Sequence, residues 1–312
     1  MHQVETILKA MNPAAKIRKT KLGAVDISPK TWTKGRLLGR GSFGSVYQAY
    51  SSRDGFVFAA KEVSLLDQES PGRSRVYQLQ QEIEFLSWLE HKNIIQYYGS
   101  FEYGSNLYMC MEHAPNGSIR RLYQGSNLSY PRVSKYTKEI LLGLNYLHGH
   151  NVVHRDIKCA NILVDAYGSA KLADFGLAKI TTKMNELQSL QGTAFWMAPE
   201  VLSAKMKNQG YGSPADIWSL GCTVLEMLTR QVPYPGLEPL NSFRHFSRLQ
   251  WGSSLTFLIF FVRKREISFI SAYKLIQTID PLLLSSYVIH LSRLGLKNYP
   301  IYWITWMVFL FR

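Results

Sequence analysis

The sequence predicts an α+β chain, with strands towards its N-terminal end and long helices further on. Three observations carry this. Residues 46–50 are a short strand-like run, and residues 58–63 a short apolar run broken by charge only at Lys61 and Glu62. Residues 76–90 repeat apolar side chains at helical spacing, as Val76, Leu79, Ile83 and Leu86. Residues 215–230 do so again, as Ile217, Leu220, Val224 and Leu228.

The first element is a glycine loop, Leu38-Gly39-Arg40-Gly41-Ser42-Phe43-Gly44-Ser45-Val46. Glycines let backbone amides approach phosphates closely. A dinucleotide site would need a helix directly after the third glycine. Here Val46-Tyr47-Gln48-Ala49-Tyr50 is strand-like, so the loop reads as the tip of a β-hairpin. The next strand, Phe58-Ala59-Ala60-Lys61-Glu62-Val63, carries one awkward charge, Lys61. That lysine is placed to reach nucleotide phosphates and needs a carboxylate to fix it. The helix at 76–90 offers Glu82, with Glu84 as the rival pointing to another side.

The most informative run is His154-Arg155-Asp156-Ile157-Lys158-Cys159-Ala160-Asn161, followed by Asp174-Phe175-Gly176. Transfer of a phosphoryl group from ATP needs an acceptor for the attacking hydroxyl's proton and oxygen ligands for magnesium. Asp156 suits the first task; Asn161 and Asp174 suit the second. One tight loop must aim Asp156 and Asn161 at the same phosphate, and the spacing between them fits that need.

As a set these motifs resemble the eukaryotic protein kinase family over about residues 32–243. The resemblance implies a two-lobed fold, a small β-rich N-lobe and a helical C-lobe that here lacks its last helices. It implies that Leu38, Gly39, Arg40, Gly41, Ser42, Phe43 and Gly44 cover the phosphates of ATP. Val46 and Ala59 would roof the adenine, and Lys61 would pair with Glu82. Met111 looks like the gatekeeper, and Glu112, His113 and Ala114 like the hinge that hydrogen-bonds adenine. Ser118 falls at a ribose-contacting position, or else caps the helix that follows. Asp156 would be the base, Lys158 would contact the γ-phosphate, and Asn161 and Asp174 would bind Mg2+. Lys158, together with Gly192-Thr193 ahead of Trp196-Met197-Ala198-Pro199-Glu200, is similar to the serine/threonine pattern. Thr193 would hydrogen-bond both Asp156 and Lys158, and Asp216, on the helix at 215–230, would hold the catalytic loop from below.

A narrower resemblance is to the MEKK branch of MAP kinase kinase kinases, especially the plant kind. Trp32-Thr33-Lys34-Gly35, Lys61-Glu62-Val63-Ser64-Leu65-Leu66-Asp67, Asn93-Ile94-Ile95-Gln96-Tyr97-Tyr98-Gly99 and Leu172-Ala173-Asp174-Phe175-Gly176-Leu177-Ala178-Lys179 carry it. It implies ATP, Mg2+ and a MAP kinase kinase as partners; the expected location, read from the cysteine usage, is cytoplasmic. Arg155, ahead of Asp156, leaves a cation that a phosphate could neutralise. Thr181, Thr182 and Ser189 are the candidate acceptors, with Ser189 preferred.

The formal net charge is +14 and is uneven. Residues 1–31 hold six Lys/Arg against two acids, and residues 241–312 hold nine against two. The catalytic part is nearly balanced, and nothing argues for nucleic-acid readout. Cys110, Cys159 and Cys222 show no metal spacing and suit a reducing compartment. Residues 1–30 have no apolar core segment of the kind a secretory signal needs. The expected organisation is a basic tail at 1–31, an N-lobe and hinge at 32–114, a partial C-lobe at 115–244, and an aberrant hydrophobic and basic tail at 245–312.

The last segment breaks the family pattern. No Arg-Pro pair occurs in the sequence, so Glu200 lacks the arginine that the resemblance would supply. Residues 254–262 and 301–311 are apolar and aperiodic, about half the length of a membrane span. A substitute for the missing helices and a membrane-associated tail are the less favoured readings; a truncated or translated non-coding end is preferred. Two functions follow: an active serine/threonine kinase or, as the alternative, an inactive kinase-like module that binds ATP or a partner.

Overall fold

The computed structural model describes residues 31–41, 44–66, 70–180, 193–198, 201 and 212–233. Ser42, Phe43, Thr181, Thr182, Ser189, Glu200 and the two end segments at 1–30 and 245–312 lie outside the described residues. The chain divides into two compact units. One holds residues up to His91 together with Ile95–Ala114; the other holds Lys92–Ile94 and the residues from Pro115 on.

The first unit is an antiparallel sheet of five strands: β1 (Trp32–Gly41), β2 (Gly44–Ser51), β3 (Val57–Ser64), β4 (Tyr97–Tyr103) and β5 (Asn106–Glu112). Their spatial order is β1-β2-β3-β5-β4. Alternation along β3 explains its place. Phe58 and Ala60 turn to one face and pack with Ala49, Tyr98, Tyr108 and Cys110. Ala59 and Lys61 turn to the other. Trp32 closes the first face, its ring centroid 5.4 Å from Tyr108 and 5.8 Å from Phe101. Glu62 locks three strands there, accepting from Lys34 Nζ at 2.8 Å and from the Tyr108 hydroxyl at 2.5 Å.

β1 and β2 form the expected hairpin, with Gly41 paired to Gly44. Gly44 has φ +143°, and a Cβ there would lie 2.3 Å from the Glu62 carbonyl oxygen, so glycine is required.

α1 (Ser70–Trp88) packs on β3 and β4. It begins well before residue 76, where the apolar period first becomes visible. Pro71 and Gly72 hide the start, but proline is tolerated in a first helical turn because its missing N–H would have no partner there. Leu79, Ile83 and Leu86 are buried as the spacing predicts.

The second unit contains α2 (Ile119–Gly125), α3 (Tyr130–Gly149) and α4 (Pro214–Thr229). Two short ladders accompany them: β6 (Val152–Val153) with β9 (Lys179–Ile180), and β7 (Ile162–Val164) with β8 (Ala170–Leu172). α3 buries Val133, Tyr136, Ile140, Leu141, Leu144 and Leu147. Gly143 lets β8 approach α3 closely, since a Cβ there would meet Leu172 Cδ1 at 2.8 Å and the Asn93 carbonyl at 3.0 Å.

α4 corrects the sequence reading. Of the expected stripe only Leu220 is buried; Ile217, Val224 and Leu228 are half-buried. The buried face instead carries Asp216, Ser219, Thr223 and Glu226 beside Ala215, Cys222, Leu225 and Met227. Apolar periodicity marks where grease lies. It cannot show that a polar stripe is buried, because that depends on donors from distant segments. Cys110, Cys159 and Cys222 are free and buried in β5, the loop at 154–161 and α4.

Candidate active site

In the sheet-bearing unit the site residues share one face. β3 pairs Lys61 with Val46 on one side and Met109 on the other, and pairs Ala59 with Met111. Cross-strand partners project to the same side, so Val46, Ala59, Lys61 and Met111 are neighbours. Lys61 is only 7% exposed. Burial of an ammonium is tolerable when a carboxylate meets it, and Glu82 Oε2 does so at 2.5 Å. Glu82 is 2% exposed, whereas Glu84 faces solvent, which decides between the rivals. Leu38, Gly39, Arg40 and Gly41 lie on β1, leading to the hairpin tip.

Glu112 ends β5, and its N–H donates to the Gln96 carbonyl at 2.8 Å. Met111 and Glu112 therefore belong to the sheet, with His113 and Ala114 just beyond it. Burial, and then the charge of Arg36, hold the His113 imidazole below its usual range.

In the helical unit Ser118 is the N-cap of α2, its hydroxyl accepting from Arg121 N at 3.3 Å. The capping alternative is thus realised for this serine.

The loop from His154 to Asn161 has no ladder to hold it, and α4 does so instead. Asp216 is fully buried and accepts from His154 N at 2.9 Å, Arg155 N at 2.8 Å and the His148 imidazole at 2.8 Å. Arg155 adopts φ +70°, an uncommon backbone state for a side-chain-bearing residue, and its N–H bond to Asp216 helps to hold it. Burial by itself would raise the Asp216 carboxyl, but the hydrogen bond and charge of His148, with help from His154, keep it below the usual carboxylate range. Burial pushes the His154 imidazole down, against the attraction of Asp216, Asp156 and Asp174.

These anchors present Asp156, which is 7% exposed. Its Oδ2 accepts from Lys158 Nζ at 2.7 Å and from Asn161 Nδ2 at 2.7 Å. Its Oδ1 accepts from the Thr193 hydroxyl at 2.7 Å, and that hydroxyl accepts from Lys158 Nζ at 2.6 Å. Four of the residues singled out from sequence therefore meet in one closed network. Charge-assisted bonds of this kind are short and directional, so they fix the carboxylate's orientation. Asp174 follows β8 with φ +62°, and the Ala173 N–H donates to the Asn161 carbonyl at 3.0 Å. Phe175 is fully buried, its ring 4.8 Å from that of His154.

The donor set suits magnesium. Asn161 turns its amide nitrogen to Asp156, both to the carboxylate and to the carbonyl, so its oxygen is the end left for a cation. Asp174 adds a carboxylate, and hard oxygen donors are what Mg2+ prefers. Sequence reasoning missed His148, Trp196 and Glu226. The signal for Glu226 was present as a second charged residue, besides Asp216, on a largely apolar helix.

The protein kinase domain model matches residues 32–269. The chain therefore belongs to the protein kinase family, and its match runs further than the 32–243 over which the motifs are legible. It is similar to plant MAP kinase kinase kinases. Mitogen-activated protein kinase kinase kinase 1 of Arabidopsis thaliana is 57% identical over 218 residues, which is 70% of this chain and 35% of that protein. Mitogen-activated protein kinase kinase kinase 1a of Physcomitrium patens is 49% identical over 218 residues, 70% of this chain and 28% of the relative. YODA of Arabidopsis thaliana is 48% identical over 214 residues, 68% of this chain and 24% of the relative. The chain spans about a third of the length of the curated relatives it matches first. Among the described residues no helix is long and apolar enough to cross a membrane.

Proposed function

We propose that this protein transfers the γ-phosphoryl group of ATP to a serine or threonine of a protein substrate, and that the substrate class is a MAP kinase kinase. The observation that carries this reading is the closed network of Asp156, Lys158, Asn161 and Thr193.

Asp156 accepts the proton of the substrate hydroxyl as its oxygen bonds to the γ-phosphorus and the bond to the ADP oxygen breaks. Lys158 lies on the same carboxylate and neutralises charge gathering on the transferred group. Thr193 orients both and borders the place where the acceptor residue sits. Lys61, kept charged and aimed by Glu82, binds the α- and β-phosphates. Backbone amides of Gly39, Arg40, Gly41 and Gly44 cover the phosphates, and Val46, Ala59 and Met111 give the adenine an apolar seat. Asn161 and Asp174 would hold Mg2+, which would supply neutralisation of phosphate charge when bound. The names of the similar plant proteins support the MAP kinase cascade as the setting.

The test is incubation of the full chain with Mg-ATP and a catalytically inactive MAP kinase kinase, followed by mass spectrometry of the product. Phosphate on serine or threonine of its activation segment is the expected result. Phosphate on tyrosine, or none on any of several MAP kinase kinases, would overturn the reading.

A further inference from the structure

α4 carries a second buried carboxylate, which the chemistry above does not use. Glu226 is 1% exposed, about three helical turns beyond Asp216. Its Oε2 accepts from the backbone N–H of Cys159 at 3.1 Å and from the indole N–H of Trp196 at 3.1 Å. Its Oε1 accepts from the Tyr123 hydroxyl at 2.8 Å. Three donors from three separate segments thus meet one carboxylate that water does not reach. With both oxygens occupied and almost no exposure, Glu226 is not placed to meet a substrate.

The identity of the donors matters more than their number. Cys159 directly follows Lys158 in the chain. Trp196 N–H bonds the Thr193 carbonyl at 2.9 Å, so the indole and Thr193 move as one turn. Neighbouring positions of α4 grip the same two segments. Ser219 Oγ donates to the Trp196 carbonyl at 2.7 Å, and the Thr223 carbonyl accepts from Cys159 Sγ at 3.6 Å. Lys158 and Thr193 are far apart in sequence yet converge on Asp156. Burial and then the nearby Glu226 charge push both the Tyr123 phenol and the Cys159 thiol up, so Tyr123 remains a donor.

We infer that Glu226 is a positioning residue for phosphoryl transfer: by accepting the Cys159 and Trp196 N–H groups on one oxygen, it ties the catalytic loop to the Thr193 segment and fixes where Lys158 and Thr193 meet Asp156. This inference rests on the function proposed above for the same site. It differs from a general packing role in what it predicts. Loss of the acceptor oxygen should lower turnover more than nucleotide affinity, because Lys61 and its sheet are held by other contacts.

The experiment uses the full chain with Glu226→Gln, Glu226→Leu and Trp196→Phe. Glutamine keeps an acceptor oxygen for the two N–H groups and turns its amide to the Tyr123 hydroxyl, which can accept from it. Leucine has comparable volume and no acceptor. Steady-state kinetics are read per folded molecule, with amide exchange of peptides covering 156–161 and 193–198. Glu226→Gln should stay close to wild type. Glu226→Leu should lower kcat about 10–100-fold, as expected for a displacement of around an ångström, with KM for ATP unchanged and faster exchange in both peptides. Trp196→Phe should fall between them, and it decides the matter if the leucine variant does not fold.

Unchanged kcat and exchange in the variants, with only a lower melting temperature, would overturn the inference. So would a glutamine variant as impaired as the leucine one. If wild type transfers no phosphate at all, the proposed function fails, while the exchange measurements still decide whether Glu226 ties the two segments.

Discussion

The two units both bury a charged side chain that the proposed chemistry needs, yet they hold it by different means. Lys61 lies in β3, with strands hydrogen-bonded on both sides, so the backbone ladder sets its position and Glu82 sets its aim. Asp156 lies in a loop without a ladder. Side chains from α4 and α3 place that loop, through Asp216 and His148, and three further side chains orient the carboxylate. A substitution in the sheet should therefore change chemistry and leave position alone. A substitution among the loop's anchors should disturb position, stability and chemistry together.

The largest expected effect tests the second half of that contrast. Asp216→Ala leaves two buried N–H groups and a buried histidine without their acceptor. Each unsatisfied group costs about 1–3 kcal/mol, so destabilisation of about 3–5 kcal/mol is expected, with transfer activity lost. Urea unfolding of the full chain measures it; a change below about 1 kcal/mol would show that the loop is anchored elsewhere.

Lys61→Arg tests the sheet. The charge and the partner Glu82 are kept, but the planar guanidinium cannot occupy the ammonium's place. Activity should fall about 100-fold, while thermal stability changes little. A large drop in melting temperature would erase the distinction between the units.

Gly143→Ala sharpens the comparison inside the helical unit. Alanine is the better helix former by about 1 kcal/mol. The added methyl would nevertheless meet Leu172 and the Asn93 carbonyl, so net destabilisation of about 1–3 kcal/mol is expected by denaturant titration.

The smallest effect is in pH. His154 is neutral in its buried site, its pKa held down by burial, and takes up a proton more readily once unfolded. Its contribution is thus full above the unfolded histidine value of about 6.5 and is lost as pH falls below it. Melting temperature should decline from pH 7.5 to 5.5, and less steeply in His154→Phe. The depressed carboxyl of Asp216 acts further down, adding stability above the unfolded aspartate value of about 3.9 that is lost in stronger acid.

The same contrast explains what the sequence disclosed. Asp156 and Asn161 were legible because a single loop must carry both, which forces a short fixed spacing. The glycine hairpin was legible from the strand that follows it. Glu82 was preferred over Glu84 because helical geometry separates their directions. The start of α1 at Ser70 was hidden by Pro71 and Gly72, which resemble loop residues out of context. The support of the loop by Asp216 was legible in the sequence, but the rest of the buried face of α4 was misread, since Glu226 bonds to a backbone N–H 67 residues away. Such partners exist only after folding, and no local period announces them. Ser118 remained open between two roles because a serine at a helix start suits both; its hydroxyl caps α2.

The most direct test of the account is the replacement Asp156→Asn in the full chain, compared with wild type at equal folded fraction. Asparagine keeps the side chain's volume and the bond from Thr193, but its amide nitrogen cannot accept from Lys158 and Asn161 and it cannot take up the hydroxyl proton. The account predicts a fall in kcat of about 10²–10⁴-fold, with the melting temperature and KM for ATP close to wild type. Near-normal turnover in this variant would contradict it, because Asp156 would then be an anchor like Asp216 rather than the group that receives the proton.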